Sequence, residues 1–344
     1  MSGRELDEDD VRVKRGRRTR PRSKQRPAHD DAVDAFVVTI ARGRVAGALP
    51  ASPGVEVVAV KARELGRKAV SVGDNVGLVG DLSGRPDTLA RLVRIDPRKT
   101  ELRRTADDSD PYERIIVANV DQMGIVVAVA DPPPRIGLID RCLVAAYDAR
   151  VDPLLVLTKV DLGDPADLLA AYRDLDIAAV AVTRGGSLAE LSDCLRDRVS
   201  VFVGHSGVGK STLVNALIPD AKRATGGVNE STGRGRHTST SAQALALPFG
   251  GWLIDTPGVR SFGLAHVERQ RVIDAFDDLA EGTANCPRSC SHDEVDCGLD
   301  LWCEQGHASA ARLESLRRIL RAIDDAHWRL IAHPLGTTSS SPKV

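Results

Sequence analysis

The octapeptide Gly204-His205-Ser206-Gly207-Val208-Gly209-Lys210-Ser211 constrains this chain more than any other stretch. It meets every fixed position of G-x-x-x-x-G-K-[ST]. Its flanks fit too: the apolar run Val199 to Val203 precedes it and a helical pattern, Thr212 to Leu217, follows. Glycines let the backbone curl until several N–H groups face one anion, and a helix N-terminus adds positive potential there. Lys210 places a point charge on β- and γ-phosphates, and the Ser211 hydroxyl is available to Mg²⁺. A plain glycine turn before a helix needs no strand, Lys and Ser in register. The stretch from Gly204 to Thr212 therefore predicts a phosphate-binding loop at the end of a parallel strand.

The surrounding residues supply the rest of such a domain. Ile115 to Val120, Gly124 to Ala130, Leu154 to Leu157 and Ala178 to Val182 are continuous apolar runs. Helical patterns at Leu138 to Tyr147, Asp167 to Arg173 and Leu188 to Arg196 separate several of them. Fully apolar strands alternating with helices predict a mostly parallel sheet covered on both faces, over residues 106–267. Asp255-Thr256-Pro257-Gly258 follows the run Trp252 to Ile254. An acid there can hold Mg²⁺ through water, and the Gly258 N–H can meet a γ-phosphate, so that the next loop senses hydrolysis.

The base is read elsewhere. Thr158-Lys159-Val160-Asp161 follows Leu154 to Leu157 and fits [NT]-K-x-D. Ionised Asp161 only accepts hydrogen bonds, and guanine offers it N1–H and N2–H₂ where adenine presents a lone pair. The Lys159 stem can lie over the ring. Thr158 replaces the commoner Asn, so one amide contact is missing. Ala181-Val182-Thr183-Arg184 stand in the place of a looser S-A-K element and match it weakly. The usual order puts the phosphate loop first, but here Asp161 precedes Lys210. A sheet can be cut in one loop and rejoined at its old ends when those ends are close. The order predicts a circularly permuted P-loop GTPase domain whose switch loop leads straight into whatever follows.

The flanks are unlike this centre. Residues 1–31 are acidic at Glu5 to Asp10 and then carry nine Lys or Arg between Arg12 and Arg26. Such a block buries no core and is expected to be a disordered tail, solvated or lying on nucleic-acid phosphates. Residues 32–105 hold short β patterns at Phe36 to Ile40, Val55 to Val60, Val76 to Val79 and Leu89 to Ile95. They predict a small β-barrel, OB-like or SH3-like, with Arg42, Arg44, Lys61, Arg63, Arg67 and Lys68 as a basic face. Residues 268–333 read as helical around a cysteine-rich loop at 286–303. Leu313, Leu316, Leu320 and Ile323 form an apolar stripe, and Arg312, Arg317, Arg318 and Arg321 form a basic face expected to be solvated. Residues 334–344 are expected to be a loose tail.

Six cysteines in 344 residues are no disulfide framework. Cys286, Cys290, His292 and Cys297 offer three thiolates and an imidazole in one loop, a closed set for a single structural Zn²⁺. Cys303 or His307 could take the place of Cys297. Cys142 and Cys194 lie in helical apolar patterns and read as core. No apolar run approaches the roughly 20 residues that span a bilayer. The N-terminus has no secretory h-region, so a cytoplasmic protein without membrane contact is expected.

A barrel, T-K-x-D before G-H-S-G-V-G-K-S-T, then G-R-G-R-H-T-S-T, D-T-P-G and a Cys/His cluster resemble the ribosome small-subunit-dependent GTPase family RsgA over about residues 32–330. The resemblance implies a cytoplasmic factor that binds GTP and GDP, meets the 30S subunit and its 16S rRNA late in maturation, and hydrolyses GTP under stimulation by the subunit; a monomer is expected. Val259 stands where Ras-like sites carry a Gln, so slow intrinsic turnover is expected. The resemblance points to His237 in the glycine-rich loop as the residue that positions water, beside catalytic Lys210. Thr238 is the Mg²⁺-sensing threonine it implies, with Thr240 as fallback. The competing readings are a permuted GTPase of large-subunit assembly and a non-catalytic rRNA-binding module that holds GTP as a ligand.

Overall fold

A computed structural model describes residues 29–66, 68–105, 113–219, 242–256, 264 and 267–332. The terminal blocks expected to be tails lie outside these, apart from residues 29–31.

Five strands come first: β1 (Val33–Ala41), β2 (Arg44–Leu49), β3 (Ser52–Lys61), β4 (Asn75–Gly80) and β5 (Ala90–Ile95). They pair in the order β1-β2-β3-β5-β4, and β4 returns to β1 to close the barrel. The parallel β3–β5 pair belongs to the OB-like arrangement, which settles the choice between barrels. Alternate residues fill the interior: Val37, Ala59, Val76, Leu78 and Leu92 are fully buried. The strand β2 lies outside the sequence expectation because Ala46, Gly47 and Ala48 have low β propensity. The barrel needs them small: a Cβ on Gly47 would stand 3.2 Å from the Ala35 Cβ.

The next pair corrects the sequence reading, which places Ile115 to Val120 as a strand of the parallel sheet. Instead β6 (Glu101–Thr105) and β7 (Glu113–Ala118) form an antiparallel hairpin. The run is apolar because Leu102, Val117 and Ala118 are buried where the hairpin meets the barrel and the sheet, with Val72 bridged to Val117.

The parallel sheet comprises β8 (Gln122–Ala128), β9 (Asp152–Thr158), β10 (Ala178–Val182), β11 (Val199–Val203) and β13 (Trp252–Asp255), in the order β10-β9-β8-β11-β13. All seven residues of β8 are buried, as a strand covered on both faces requires. Gly124 is forced there: a Cβ would lie 2.5 Å from the Phe202 ring. Four helices flank the sheet: α1 (Ile136–Asp148), α2 (Ala166–Tyr172), α3 (Ala189–Leu195) and α4 (Lys210–Leu217). Leu143 of α1 and Tyr172 of α2 pack in one core, Leu191 of α3 and Val214 of α4 in the other. A short antiparallel strand, β12 (Gln243–Ala246), pairs with β13 and through Gln243 with Thr39 of β1. Phe36 stacks on Trp252 at 4.9 Å across that junction, so sheet and barrel are one continuous surface.

Helices α5 (Arg269–Asp274), α6 (Asp277–Ala280), α7 (Gly298–Glu304) and α8 (Ala310–Ala332) follow. Helix α7 lies inside the stretch expected to be loop. The stripe Leu313, Leu316, Leu320 and Ile323 is buried as expected, against α1 and α5. The basic face is ion-paired and only partly solvated. Arg312 pairs with Asp278 (2.6 Å), Arg317 with Asp300 (2.8 Å), Arg318 with Asp140 of α1 (3.4 Å) and Arg321 with Asp293 (2.7 Å). Arg312, Arg317 and Arg318, each under a third exposed, fasten α8 to its surroundings, while Arg321 remains about half exposed.

Candidate nucleotide site and metal centre

Successive strands leave β8 toward β9 and β10 on one side and toward β11 and β13 on the other. Chain order reverses between β8 and β11, and ligands bind beyond the strand ends at such a point. The phosphate loop leaves β11 there. Gly204 presses against β8, where a Cβ would sit 2.4 Å from the Val126 carbonyl oxygen. Gly209 caps α4 at φ 92°, a conformation that leaves the following amides pointing outward. Val208 is buried and anchors the loop, while Ser206, Gly207, Ser211 and Thr212 are exposed toward the crevice. His205 turns its Nδ1 to the Ser206 carbonyl at 2.8 Å.

The end of β13 faces this loop. Lys210 Nζ donates to the Thr256 carbonyl at 3.4 Å, and Thr256 Oγ1 donates to the Phe202 carbonyl at 3.2 Å. Asp255 Oδ1 is buried without a hydrogen-bond partner among the described residues. A buried carboxylate oxygen with no donor is costly, and a hydrated cation beside Ser211 would satisfy it. The donor set therefore fits Mg²⁺.

The other end of the crevice is set by β9. Buried Thr158 donates its hydroxyl to the Val208 carbonyl at 2.5 Å, and lies 3.3 Å from the Val127 carbonyl. The residue replacing Asn thus ties the end of β9 to the loop that leaves β11. Lys159, at φ 57°, gives its ammonium to the Asp131 carbonyl, a contact carried by Asp131-Pro132-Pro133-Pro134 that no motif announces. Val160 is half-buried and Asp161 is exposed on the turn that follows. A cavity of about 340 Å³ opens between these elements, lined among others by Thr158, Lys159, Thr183, Arg184, Gly207 and Gly209. The weak S-A-K match therefore does border the crevice. His237, Thr238, Thr240, Val259 and Gly258 lie outside the described residues.

The second centre is the cysteine loop. Ligand atoms of Cys286, Cys290, His292 and Cys297 all lie within 4.8 Å of one another. Cys286 Sγ stands 3.5 Å from His292 Nδ1 and 3.8 Å from Cys297 Sγ. Zinc–sulfur bonds of about 2.3 Å in a tetrahedron require sulfurs at about this separation. Cys303 instead reaches the Ser309 carbonyl, and His307 stacks on Trp302, so neither displaces Cys297. Burial and the charges of Arg269 and Arg317 hold His292 below its ordinary 6.5, in the neutral form that ligates. Burial pushes the Cys290 thiol up to about 12, so a dication must displace a proton there. Arg317 donates to the His292 carbonyl at 2.7 Å and Arg269 to the Ser291 carbonyl at 2.8 Å, fixing the loop on α8 and α5.

Comparison with known proteins agrees with this geometry. Residues 95–265 match the family described as RsgA GTPase. The chain is 42% identical over 242 residues to the small ribosomal subunit biogenesis GTPase RsgA of Pseudomonas fluorescens strain SBW25, spanning 67% of this chain and 70% of that protein. To the protein of the same name from Chlorobaculum parvum it is 36% identical over 271 residues, spanning 76% and 87%. The crystal structure of YjeQ from Thermotoga maritima superposes with a TM-score of 0.63 at 26% identity, covering 88% of this chain and 99% of that one. YloQ, described as a circularly permuted GTPase, superposes at 0.62 and 22% identity over 88% and 98%, and supports the fold alone.

Proposed function

The chain belongs to the RsgA GTPase family, and on that premise we propose how this GTPase of small ribosomal subunit biogenesis uses the residues described above. The carrying observation is the convergence of three strand ends on one crevice. The phosphate loop leaves β11, the base-reading turn leaves β9 and hydrogen-bonds the loop through Thr158, and Asp255 closes β13 with an unsatisfied oxygen. GTP lies along it with phosphates on the amides from Gly204 to Thr212 and with guanine at Asp161. Ser211 and Asp255 would hold Mg²⁺, which when bound neutralises charge on the β- and γ-phosphates. Lys210 would orient the γ-phosphate, Gly258 would donate to it, and Thr238 would join Ser211 and Asp255 in holding Mg²⁺. His237 positions water in place of the missing Gln.

The Cys286, Cys290, His292 and Cys297 set holds one structural Zn²⁺ and fixes the loop against α8. Arg42, Arg44, Arg63 and Lys68 are exposed on the barrel and carry no ion pair among the described residues. They suit the phosphates of 16S rRNA, where each contact adds salt-sensitive affinity. Among the described residues no helix is long and apolar enough to cross a membrane. We place the enzyme in the cytoplasm, acting as a monomer on the 30S subunit.

The test is GTP hydrolysis by purified protein alone, with 30S and with 50S subunits. Stimulation by 30S alone is expected. Stimulation by 50S, or tight GTP binding with no turnover under any condition, refutes the assignment in favour of large-subunit assembly or of a liganded binding module.

A further inference from the structure

A second cavity, of about 380 Å³, lies at the opposite end of the sheet from the phosphate loop. Asp121, Val199 and Trp252 line it where β8, β11 and β13 begin, and Leu49, Pro50 and Pro53 line it from the end of β2 to the start of β3. It is a cleft between the barrel and the nucleotide domain, a frequent place for ligands, and its volume is in the range of a ligand site. Much of its wall is apolar. Phe36 and Trp252 stack on each other there, and the two prolines, both exposed, bring no N–H that an apolar ligand would leave without a partner. Polar groups are few. Asn75 is exposed and its side-chain amide has no partner among the described residues, while Asp121 takes the Val199 amide on Oδ2 at 2.8 Å and keeps Oδ1.

Lys99 lines this cavity and also a neighbouring groove of about 480 Å³ between β6, the end of α1 and the start of α5. The acids of that groove are already taken: Glu101 pairs with Arg98 and Arg103, and Asp148 and Glu268 pair with Arg271. Lys99 and Arg150 are exposed and have no side-chain partner among the described residues, so the groove carries surplus positive charge. An apolar ligand alone has no use for that charge, and an anion alone has no use for the aromatic wall. A nucleotide has use for both. Unpaired RNA bases are held on aromatic side chains with polar groups at their edges, and a cationic groove beside them tracks the backbone. We propose that the cavity takes the base of one unpaired nucleotide of an RNA strand, with its phosphate at Lys99 and the strand continuing along the groove past Arg150. Asn75 and Asp121 meet the edge of the base. The inference deepens the reading of this chain as a factor that meets rRNA, and rests on it.

The test binds the full chain to a short fluorescent single-stranded RNA that carries 5-iodouridine, over a series of salt concentrations, and then irradiates the complex. Crosslinks should fall on peptides that contain Phe36, Pro50 or Trp252. Trp252→Leu should weaken binding roughly 5- to 150-fold, the range of one stacked base. Pro50→Asp changes an exposed position and should weaken binding in the same direction, with urea midpoints showing that each variant is folded. Lys99→Ala should lower the slope of log affinity against log salt by about 0.7, the value of one phosphate contact on a single strand. Unchanged affinity in both Pro50→Asp and Lys99→Ala overturns the assignment, and so do crosslinks confined to other peptides. A free nucleoside monophosphate that binds as tightly as the RNA overturns it too, because the groove then adds nothing to the cavity. Phosphate release with ribosomal subunits separates this inference from the reading beneath it. Stimulation by 30S with no crosslink in the cavity overturns the site alone, and no stimulation by 30S overturns the ribosomal reading.

Discussion

Asp74→Asn should loosen the barrel's hold on the β6–β7 hairpin without touching the nucleotide. Asp74 is fully buried, and Arg98, 13% exposed, grips it with two donors, Nε at 2.6 Å and Nη2 at 2.9 Å. The Ser71 amide adds a third bond to the carboxylate at 2.7 Å. Arg98 Nη2 also reaches the Ala69 carbonyl at 2.9 Å, and Nη1 reaches Glu101 at 3.1 Å. The pair therefore joins the turn before β4 to the loop that leads into the hairpin. Beside it Asn119 donates to the Gly73 carbonyl at 2.9 Å. Removing one partner of a buried pair costs about 3–5 kcal/mol, because the other charge is left without compensation. Glu101 still faces Arg98, which places the expected loss at the low end, about 3 kcal/mol. Urea unfolding at neutral pH reads it as a shift in midpoint. GDP affinity should be unchanged, because no residue of the pair borders the nucleotide crevice, while stimulation by the 30S subunit should fall. A variant within about 0.5 kcal/mol of wild type, the ordinary range of a surface substitution, refutes the argument that this pair is the joint.

Cys290→Ser should release zinc from the purified protein by metal analysis and loosen the C-terminal helices; full zinc occupancy would remove Cys290 from the ligand set. Asp140→Asn should show a pH signature. Burial raises the Asp140 carboxyl above its ordinary 3.8, outweighing Arg318 and Tyr172, so the folded state keeps a proton the unfolded chain releases. Wild-type stability therefore falls relative to Asp140→Asn as pH rises through and above the ordinary carboxylate range, and unfolding midpoints at several pH values should diverge in that sense. His237→Ala should keep GTP affinity and lose subunit-stimulated turnover; unchanged stimulated phosphate release would end its catalytic assignment.

The sequence carried the nucleotide domain because its signals are local and redundant. Val199 to Val203, the glycines of the loop and Lys210-Ser211 each restrict the backbone at adjacent positions, and strand β11 and helix α4 fall where they indicate. The Cys/His spacing was legible for the same reason. What the pattern hid depends on partners distant in sequence. Strand β2 is built from small residues because the barrel interior leaves no room for larger ones. The run Ile115 to Val120 is as apolar as a parallel strand, but burial between barrel and sheet produces the same composition as burial between helices. The arginines of α8 look like a solvated face until Asp140, Asp278, Asp293 and Asp300 are brought to them. Periodicity reports which residues leave water, not which element covers them.

The permutation itself has a physical seam. Helix α3 ends at Leu195 and β11 starts at Val199, so only Arg196 to Arg198 join what an unpermuted domain would hold as its two ends. The join is sealed from the side: the Asp197 amide donates to the Gly250 carbonyl at 3.3 Å, the Trp252 amide donates to the Arg198 carbonyl at 2.9 Å, and a Cβ on Gly251 would meet that oxygen at 2.4 Å. With the old ends sewn together, the new ones fall at Asp121, which follows the hairpin and barrel, and after Thr256. The strand that carries Asp255 thus precedes, in the chain, the helices around the Cys/His cluster. Those helices are in turn bolted to the helix that follows β9, where Arg318 lies 4.7 Å over the Tyr172 ring of α2 and donates to the Ala171 carbonyl at 3.0 Å. Ile254 of β13 shares one buried core with Ile273 of α5 and Leu316 of α8, so a displacement of Asp255 on loss of the γ-phosphate has a packed path to α8. Hydrogen exchange over Leu313 to Ile323 should therefore differ between the GDP form and a form holding a non-hydrolysable GTP analogue. Equal protection in the two forms would mean that the C-terminal helices do not sense the nucleotide, and that the permuted order serves only to attach them.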